Sequence, residues 1–219
     1  MLKNVRVWFS KTGAMRYISH LDLTRCMGRA IKRAGLPVWY TQGFNPRIYM
    51  NFAMPLSLGV SGERECMDLR LETDGTTDLQ QMFQRFASYL PQGVSVWEVT
   101  EPELGFEEIA FAEYELWMET ESPQTLYNTL KTMLRTGPVI VMKHGKRGDK
   151  PLDIQPFFEK MEAHIEENGL RLQVKLPCTQ NGSVNPGLLA EALKNLHGCE
   201  PYVQITRKRL LAKDLNDMR

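Results

Sequence analysis

An α+β fold of two tandem ferredoxin-like halves, each running β-α-β-β-α-β, is what this 219-residue chain predicts. Three observations carry it. Period-two apolar alternation flanks amphipathic helical stretches, the same order of elements comes twice, and a linker-like stretch, Pro102–Glu108, separates the two runs. At 42% hydrophobic and 24% charged residues, the chain has the composition of a globular protein with a core in each half.

In the first run, Lys3–Ser10 sets Val5, Val7 and Phe9 against Asn4, Arg6 and Trp8, the pattern of a half-buried strand. A loop, Lys11–Tyr17, leads to a helix start with Ser19 as N-cap and Asp22 in capping-box position, and with Ile18 and Leu23 as a hydrophobic staple. The helix runs to about Ala34 and stops at Gly35, with Pro37 just beyond. Extended pieces follow at Val38–Thr41, Ile48–Phe52 and Cys66–Leu71, the last ending in a turn at Gly75. A helix over Asp78–Tyr89 and a strand over Val94–Val99 complete this half.

In the second run, Ala112–Glu119 is a strand, Pro123–Arg135 a helix and Val139–Met142 a strand, followed by a basic hairpin turn, Lys143–Lys150. The segment Ile154–Glu166 is ambiguous: Phe157, Met161 and Ile165 fit a helix, while the length also permits a strand. Leu170–Leu176 is a strand, Pro186–Leu196 a helix and Tyr202–Arg207 a closing strand. The expected domains are 1–101 and 109–210, with a polar tail over 211–219.

Several chemistries drop out. No stretch approaches the roughly 18 apolar residues of a membrane span, and the start, Met1–Arg6, reads as a charged strand rather than a signal peptide, so a cytoplasmic protein with no membrane partner is expected. The four cysteines (Cys26, Cys66, Cys178, Cys199) form no CxxC pair and no CxxxCxxC run, which removes a local zinc ribbon and an iron–sulfur cluster site and leaves buried free thiols as the expectation. The chain holds no phosphate-binding loop, GxGxxG, HExxH or GxSxG. No cofactor, no metal and no catalytic activity of its own are expected.

The net charge of +1 hides segregation. Residues 1–62 carry nine Lys or Arg against Asp22 alone, a balance of +8, while residues 63–135 stand at −10 and residues 136–219 at +3. On a helical wheel Leu23, Met27, Ala30, Ile31 and Ala34 form one stripe, and Arg25, Arg29, Lys32 and Arg33 face the other way. That second face is open to three readings: a solvated surface, a protein contact, or a phosphate-backbone contact, the last favoured because, Asp22 apart, it lacks the acids that usually accompany surface cations. The loop Tyr40–Arg47 adds Tyr40 and Phe44 as stacking faces and Gln42, Asn45 and Arg47 as polar readers. A plain turn with Phe44 tucked into the core is the alternative. His20 is either a structural histidine or, with Tyr17, the acid–base pair of a metal-independent endoribonuclease.

With these residues laid out, the chain resembles the radical-SAM-linked domain family, a bacterial group of unknown function. The resemblance rests on Phe9-Ser10-Lys11-Thr12-Gly13, Arg16-Tyr17-Ile18-Ser19-His20-Leu21-Asp22, Ala34-Gly35-Leu36-Pro37, Gln42-Gly43-Phe44-Asn45-Pro46-Arg47 and Pro55-Leu56-Ser57-Leu58-Gly59-Val60. It continues through Leu152-Asp153-Ile154-Gln155-Pro156, where Gln155 stands in place of the family's Arg, and Gly182-Ser183-Val184-Asn185-Pro186. The family's domain stands alone or is fused to the end of a radical-SAM protein with a cobalamin-binding-like region, which implies a partner carrying the iron–sulfur chemistry. The Gly43–Pro46 loop and the Pro-Leu-x-Leu-Gly run are also similar to ferredoxin-like RNA-processing proteins of CRISPR systems, a fold-level likeness.

The leading expectation is an accessory protein that binds structured RNA, tRNA or rRNA, for a partner radical-SAM enzyme. Its RNA-binding set is Arg16, Tyr17, His20, Arg25, Arg29, Lys32, Arg33, Gln42, Phe44, Asn45 and Arg47. The alternatives are the endoribonuclease and a protein-interaction domain whose acidic stretch, nine Glu between Glu98 and Glu121, docks a basic partner.

Overall fold

A computed structural model of the chain describes residues 1–75, 78–143 and 148–218. They form two compact units, one of Met1–Ile109 joined by the chain end from Asn216, the other of Ala110–Leu215. No helix among the described residues is long and apolar enough to cross a membrane.

The first unit contains β1 (Leu2–Lys11), α1 (His20–Ala34), β2 (Met50–Phe52), β3 (Val60–Glu72), α2 (Leu79–Ser88) and β4 (Val94–Thr100). The strands lie in the spatial order β2-β3-β1-β4, each neighbouring pair antiparallel. This is the split βαβ order of a ferredoxin-like sheet. Val5, Val7 and Phe9 of β1 and Met67, Leu69 and Leu71 of β3 pack with Leu23, Met27 and Ile31 of α1 and with Phe83 and Phe86 of α2. Because α1 and α2 share that face, the remaining side of α1 is left to solvent.

β3 starts six residues before the expected Cys66, since Ser61 and Glu65 are buried there although polar. A polar side chain inside hides the alternation on which the sequence expectation relied. The extended pieces around 38 and 48 are held by single bridges, Val38 to Leu71 and Tyr40 to Ile48, rather than by long strands.

The second unit repeats the plan with β5 (Ile109–Glu119), α3 (Pro123–Arg135), β8 (Glu162–Glu166), β9 (Gly169–Thr179), α5 (Leu188–His197) and β11 (Tyr202–Ala212). Its order is β8-β9-β5-β11. Inserted between α3 and β8 are the hairpin β6 (Ile140–Lys143) and β7 (Lys150–Asp153) and one turn of helix, α4 (Gln155–Phe158). A two-residue strand, β10 (Gly182–Ser183), pairs with β9. The expected basic turn is bracketed by β6 and β7, and its residues 144–147 lie outside the described ones.

The ambiguous segment Ile154–Glu166 is thus both: α4 first, then a strand paired with β9. The Asp153 carboxylate starts the turn by accepting from the N–H groups of Val139 and Gln155, at 2.9 and 3.0 Å. Gln155 in turn donates from its amide to the Leu134 carbonyl at the end of α3, at 3.2 Å. A neutral amide serves that structural bond without charge. At the C-terminus, Leu211 and Ala212, expected to begin a polar tail, instead continue β11 and are buried, as is Met218.

Candidate nucleic-acid interface

Helix α1 positions the candidate face. Ser19 Oγ accepts from the Asp22 N–H at 3.1 Å and donates to the Asp22 carboxylate at 2.7 Å, capping the first turn. These contacts, with that from Arg25, hold the Asp22 carboxyl below the usual range. Gly35 closes the helix at φ 70°, a conformation glycine adopts without strain. Between these caps Leu23, Met27, Ala30, Ile31 and Ala34 are buried, and Arg25, Arg29, Lys32 and Arg33 are exposed, following the wheel.

The usable charge is smaller than the composition suggests. Arg6 and Lys11 are buried at 0% and 1% exposure, and Lys3 pairs with Glu101 at 2.8 Å. Arg25 pairs with Asp22 at 3.1 Å, but both side chains are more than half exposed, so this bond is weak and readily exchanged. Arg29, Lys32, Arg33 and Arg47 remain exposed alongside it.

The cations face two ways. Toward α2, Arg25, Arg29 and Arg33 line a groove of about 560 Å³ whose far wall includes Tyr89 and Pro91. The half-buried Cys26 also lines it, and burial pushes its thiol up despite the opposing charges of Arg29 and Arg33. That thiol is protonated at neutral pH, so it reacts slowly, through its small thiolate fraction and only with an excess of an alkylating reagent. On the other side the Lys32 ammonium lies 6.0 Å from the Tyr40 ring centroid, which links α1 to the base of the 40–47 loop.

That loop closes on itself. The Thr41 N–H donates to the Arg47 carbonyl at 2.8 Å, and the Arg47 N–H to Thr41 Oγ1 at 3.1 Å. Gly43 turns the chain at φ 136°. Phe44 is 104% exposed, which overturns the reading that tucks it into the core. The neighbouring core space is taken by Ile48, Met50 and Phe52, and the two closing bonds hold the tip away from it. Gln42, Asn45 and Arg47 are exposed beside it.

Arg16 and Tyr17 lie in a short 3-10 turn ahead of α1, tied to each other: the guanidinium donates to the Tyr17 hydroxyl at 2.7 Å and lies 4.7 Å from its ring. His20 is half-buried, its ring edge-on to Phe52 at 5.0 Å. Burial first, then the Lys11 charge, lowers its pKa, so the imidazole is neutral at pH 7. The unfolded chain takes up that proton at higher pH than the folded one. Stability is therefore lost as pH falls through the ordinary histidine range, about 6.5. His20→Gln is expected to flatten that part of the stability–pH curve, measured by urea unfolding at several pH values.

The structure thus joins the α1 cations to the loop through Tyr40, and it adds the Tyr89 wall that sequence reasoning missed. Only the packing of α2 on α1 brings Tyr89 there, and no local motif signals it. A second cleft of about 510 Å³, between α2 and β4, is lined by Val5, Phe83, Val96 and Val99 and, among the described residues, holds Lys3 as its one cation. Among the described residues no three His, Cys, Asp or Glu side chains cluster to hold a metal ion.

A family model described as "Uncharacterized protein conserved in bacteria (DUF2344)" matches residues 4–186. No curated protein matches the sequence. A chain of a Cbf5-Nop10-Gar1 complex is similar over 94% of this chain, at 12% identity and a TM-score of 0.47; the present chain spans about half of its length, 48%. An unknown protein from Galdieria sulphuraria is similar over 95% of this chain and 98% of its own, at 13% identity and a TM-score of 0.28. The acetolactate synthase small subunit from Thermotoga maritima is similar over 97% and 96%, at 9% identity and a TM-score of 0.25. At these scores none of the three carries a functional argument.

Proposed function

The chain belongs to this bacterial family, DUF2344, and we propose that within it the protein is a cytoplasmic accessory factor holding a structured RNA, tRNA or rRNA, for a partner radical-SAM enzyme. The observation that carries the RNA half is the pairing of an exposed cationic helix face with a hydrogen-bonded loop that presents Phe44 wholly to solvent. Cations supply counterion release, and an exposed aromatic supplies a stacking platform for an unpaired base. The partner half rests on the resemblance to radical-SAM-linked domains and is tested by co-purification of the tagged chain with such an enzyme from cells. Recovery of no radical-SAM protein would remove that half alone.

Binding of fluorescent tRNA, followed by anisotropy across a salt titration, tests the RNA half. The logarithm of affinity is expected to fall linearly with the logarithm of salt, by about 0.7–0.9 per phosphate neutralised. No binding at low salt overturns it. Phe44→Ala is expected to weaken RNA binding by about 5- to 100-fold, the range for losing one base–aromatic stack. Its melting temperature should not move, because the ring touches no core.

The protein-interaction reading has less to draw on, since Glu101, Glu113 and Glu115 of the acidic stretch already pair with Lys3, Arg209 and Arg171. For the nuclease reading, His20 has a suitable neutral ring, but that ring is packed on Phe52. Purified protein incubated with tRNA in EDTA is expected to leave the RNA intact; cleavage lost in His20→Ala would reverse this.

A further inference from the structure

We infer that the groove between α1 and residues 88–91 takes a single-stranded stretch of that RNA, its phosphates following Arg29 and Arg33 and one base stacked on Tyr89. The inference rests on the RNA-binding reading above and narrows it from RNA to its unpaired segments.

Arg25, Arg29 and Arg33 recur every fourth residue along α1. A rise of 1.5 Å per residue places them about 6 Å apart along the axis, in one row. All three line the groove, and the opposite wall offers Tyr89, 43% exposed. A positive row facing an aromatic wall is the arrangement by which single strands are held without sequence preference: the backbone follows the charges and bases stack on the rings. At about 560 Å³ the groove has the size of an ordinary small-ligand site, room for a nucleotide or two. A duplex keeps its bases stacked on one another and offers Tyr89 no base face except at its two ends.

Among the described residues Asp22 is the one acid lining the groove. It is ionised and bonded to Arg25 at that end. Its charge disfavours a phosphate beside Arg25, so the strand is centred on Arg29, Arg33 and Tyr89. Cys26 lines the same groove and reports its occupancy.

The test uses the full chain and a labelled short oligoribonucleotide, single-stranded or annealed into a blunt duplex, with anisotropy at low salt. The single strand is expected to bind at least ~10-fold more tightly than the duplex. Tyr89→Ala should cost the single strand about 5- to 100-fold, while Tyr89→Phe stays within about twofold because the ring face is kept. Equal affinity for both oligonucleotides, with Tyr89→Ala silent, overturns the groove while leaving RNA binding by α1 in place. Failure of the wild-type chain to bind either RNA overturns both. Because Tyr89→Ala can loosen the packing of α2 on α1, alkylation of wild-type Cys26 by iodoacetamide, read by mass spectrometry, supplies a second measurement. Saturating single strand should slow it several-fold and duplex should not; no protection by the single strand overturns the inference.

Discussion

Replacing Arg6 by Ala is expected to lower the stability of the first unit by about 3–5 kcal/mol, the range for removing one partner of a buried ion pair. Arg6 lies on β1 with its side chain wholly inside. Its guanidinium meets the Asp68 carboxylate through two bonds, at 2.8 and 3.0 Å, donates to the Leu104 carbonyl at 2.8 Å, and stacks 4.5 Å from the Phe106 ring centroid. Alanine deletes all of these and leaves Asp68, four-fifths buried, with an unmatched charge. Arg6→Lys keeps the charge but loses the planar fork, and is expected to fall between. Arg6→Met with Asp68→Leu removes both charges and should cost much less than Arg6→Ala. Urea unfolding checks the series, and an Arg6→Ala loss below about 1 kcal/mol would show that Asp68 finds other partners. Arg6 was one of nine cations that made residues 1–62 look like a binding surface. Its work is instead to pin residues 104–106 to the sheet.

Arg6 also marks the limit of what the sequence discloses. Alternation assigned it to the solvent side of β1, opposite Val5 and Val7. In the fold Phe106 lies over Arg6 while Trp97 and Arg64 flank Trp8, so with the core on the other face Val5 through Phe9 are all buried. Covering from a segment a hundred residues away leaves no trace in local periodicity. Helix α1 was legible because each of its signals is local: a cap at Ser19, a stop at Gly35 and a stripe at helical spacing. The order of elements was legible in the first half for the same reason, whereas in the second β7 and α4 were not expected and β8 lay in the ambiguous segment. The first half of β3 was not legible, since Gly62-Glu63-Arg64-Glu65 shows no apolar alternation, and only the tertiary structure buries Glu65 at 3% exposure. The candidate site divides likewise. Its cations came from a wheel and its loop from turn chemistry, whereas the exposure of Phe44 and the Tyr89 wall are set by packing.

Reversing Arg25, Arg29, Lys32 and Arg33 to Glu together is expected to abolish measurable RNA binding, a loss of at least ~100-fold. Reversal at Arg29, Lys32 and Arg33 removes counterion-releasing contacts and reversal at all four adds repulsion, and neutralising the four as Gln should flatten the salt slope by up to about 0.7 per lost phosphate contact. The Glu form carries a cost of its own. Lys32 and Arg33 occupy the last turn of α1, where acids oppose the helix dipole by about 0.3–1 kcal/mol each. The Gln form avoids most of that penalty, so a shared loss of binding with an unshared loss of stability assigns the effect to the surface. The buried stripe from Leu23 to Ala34 and the Ser19 cap are untouched, so both forms should fold. Lys11 is buried and serves as the internal control: it donates to the Ile18 carbonyl at 3.1 Å, and its replacement should cost stability before it costs charge-dependent affinity. RNA affinity that survived the fourfold Glu variant at unchanged salt slope would move the binding surface off α1 altogether.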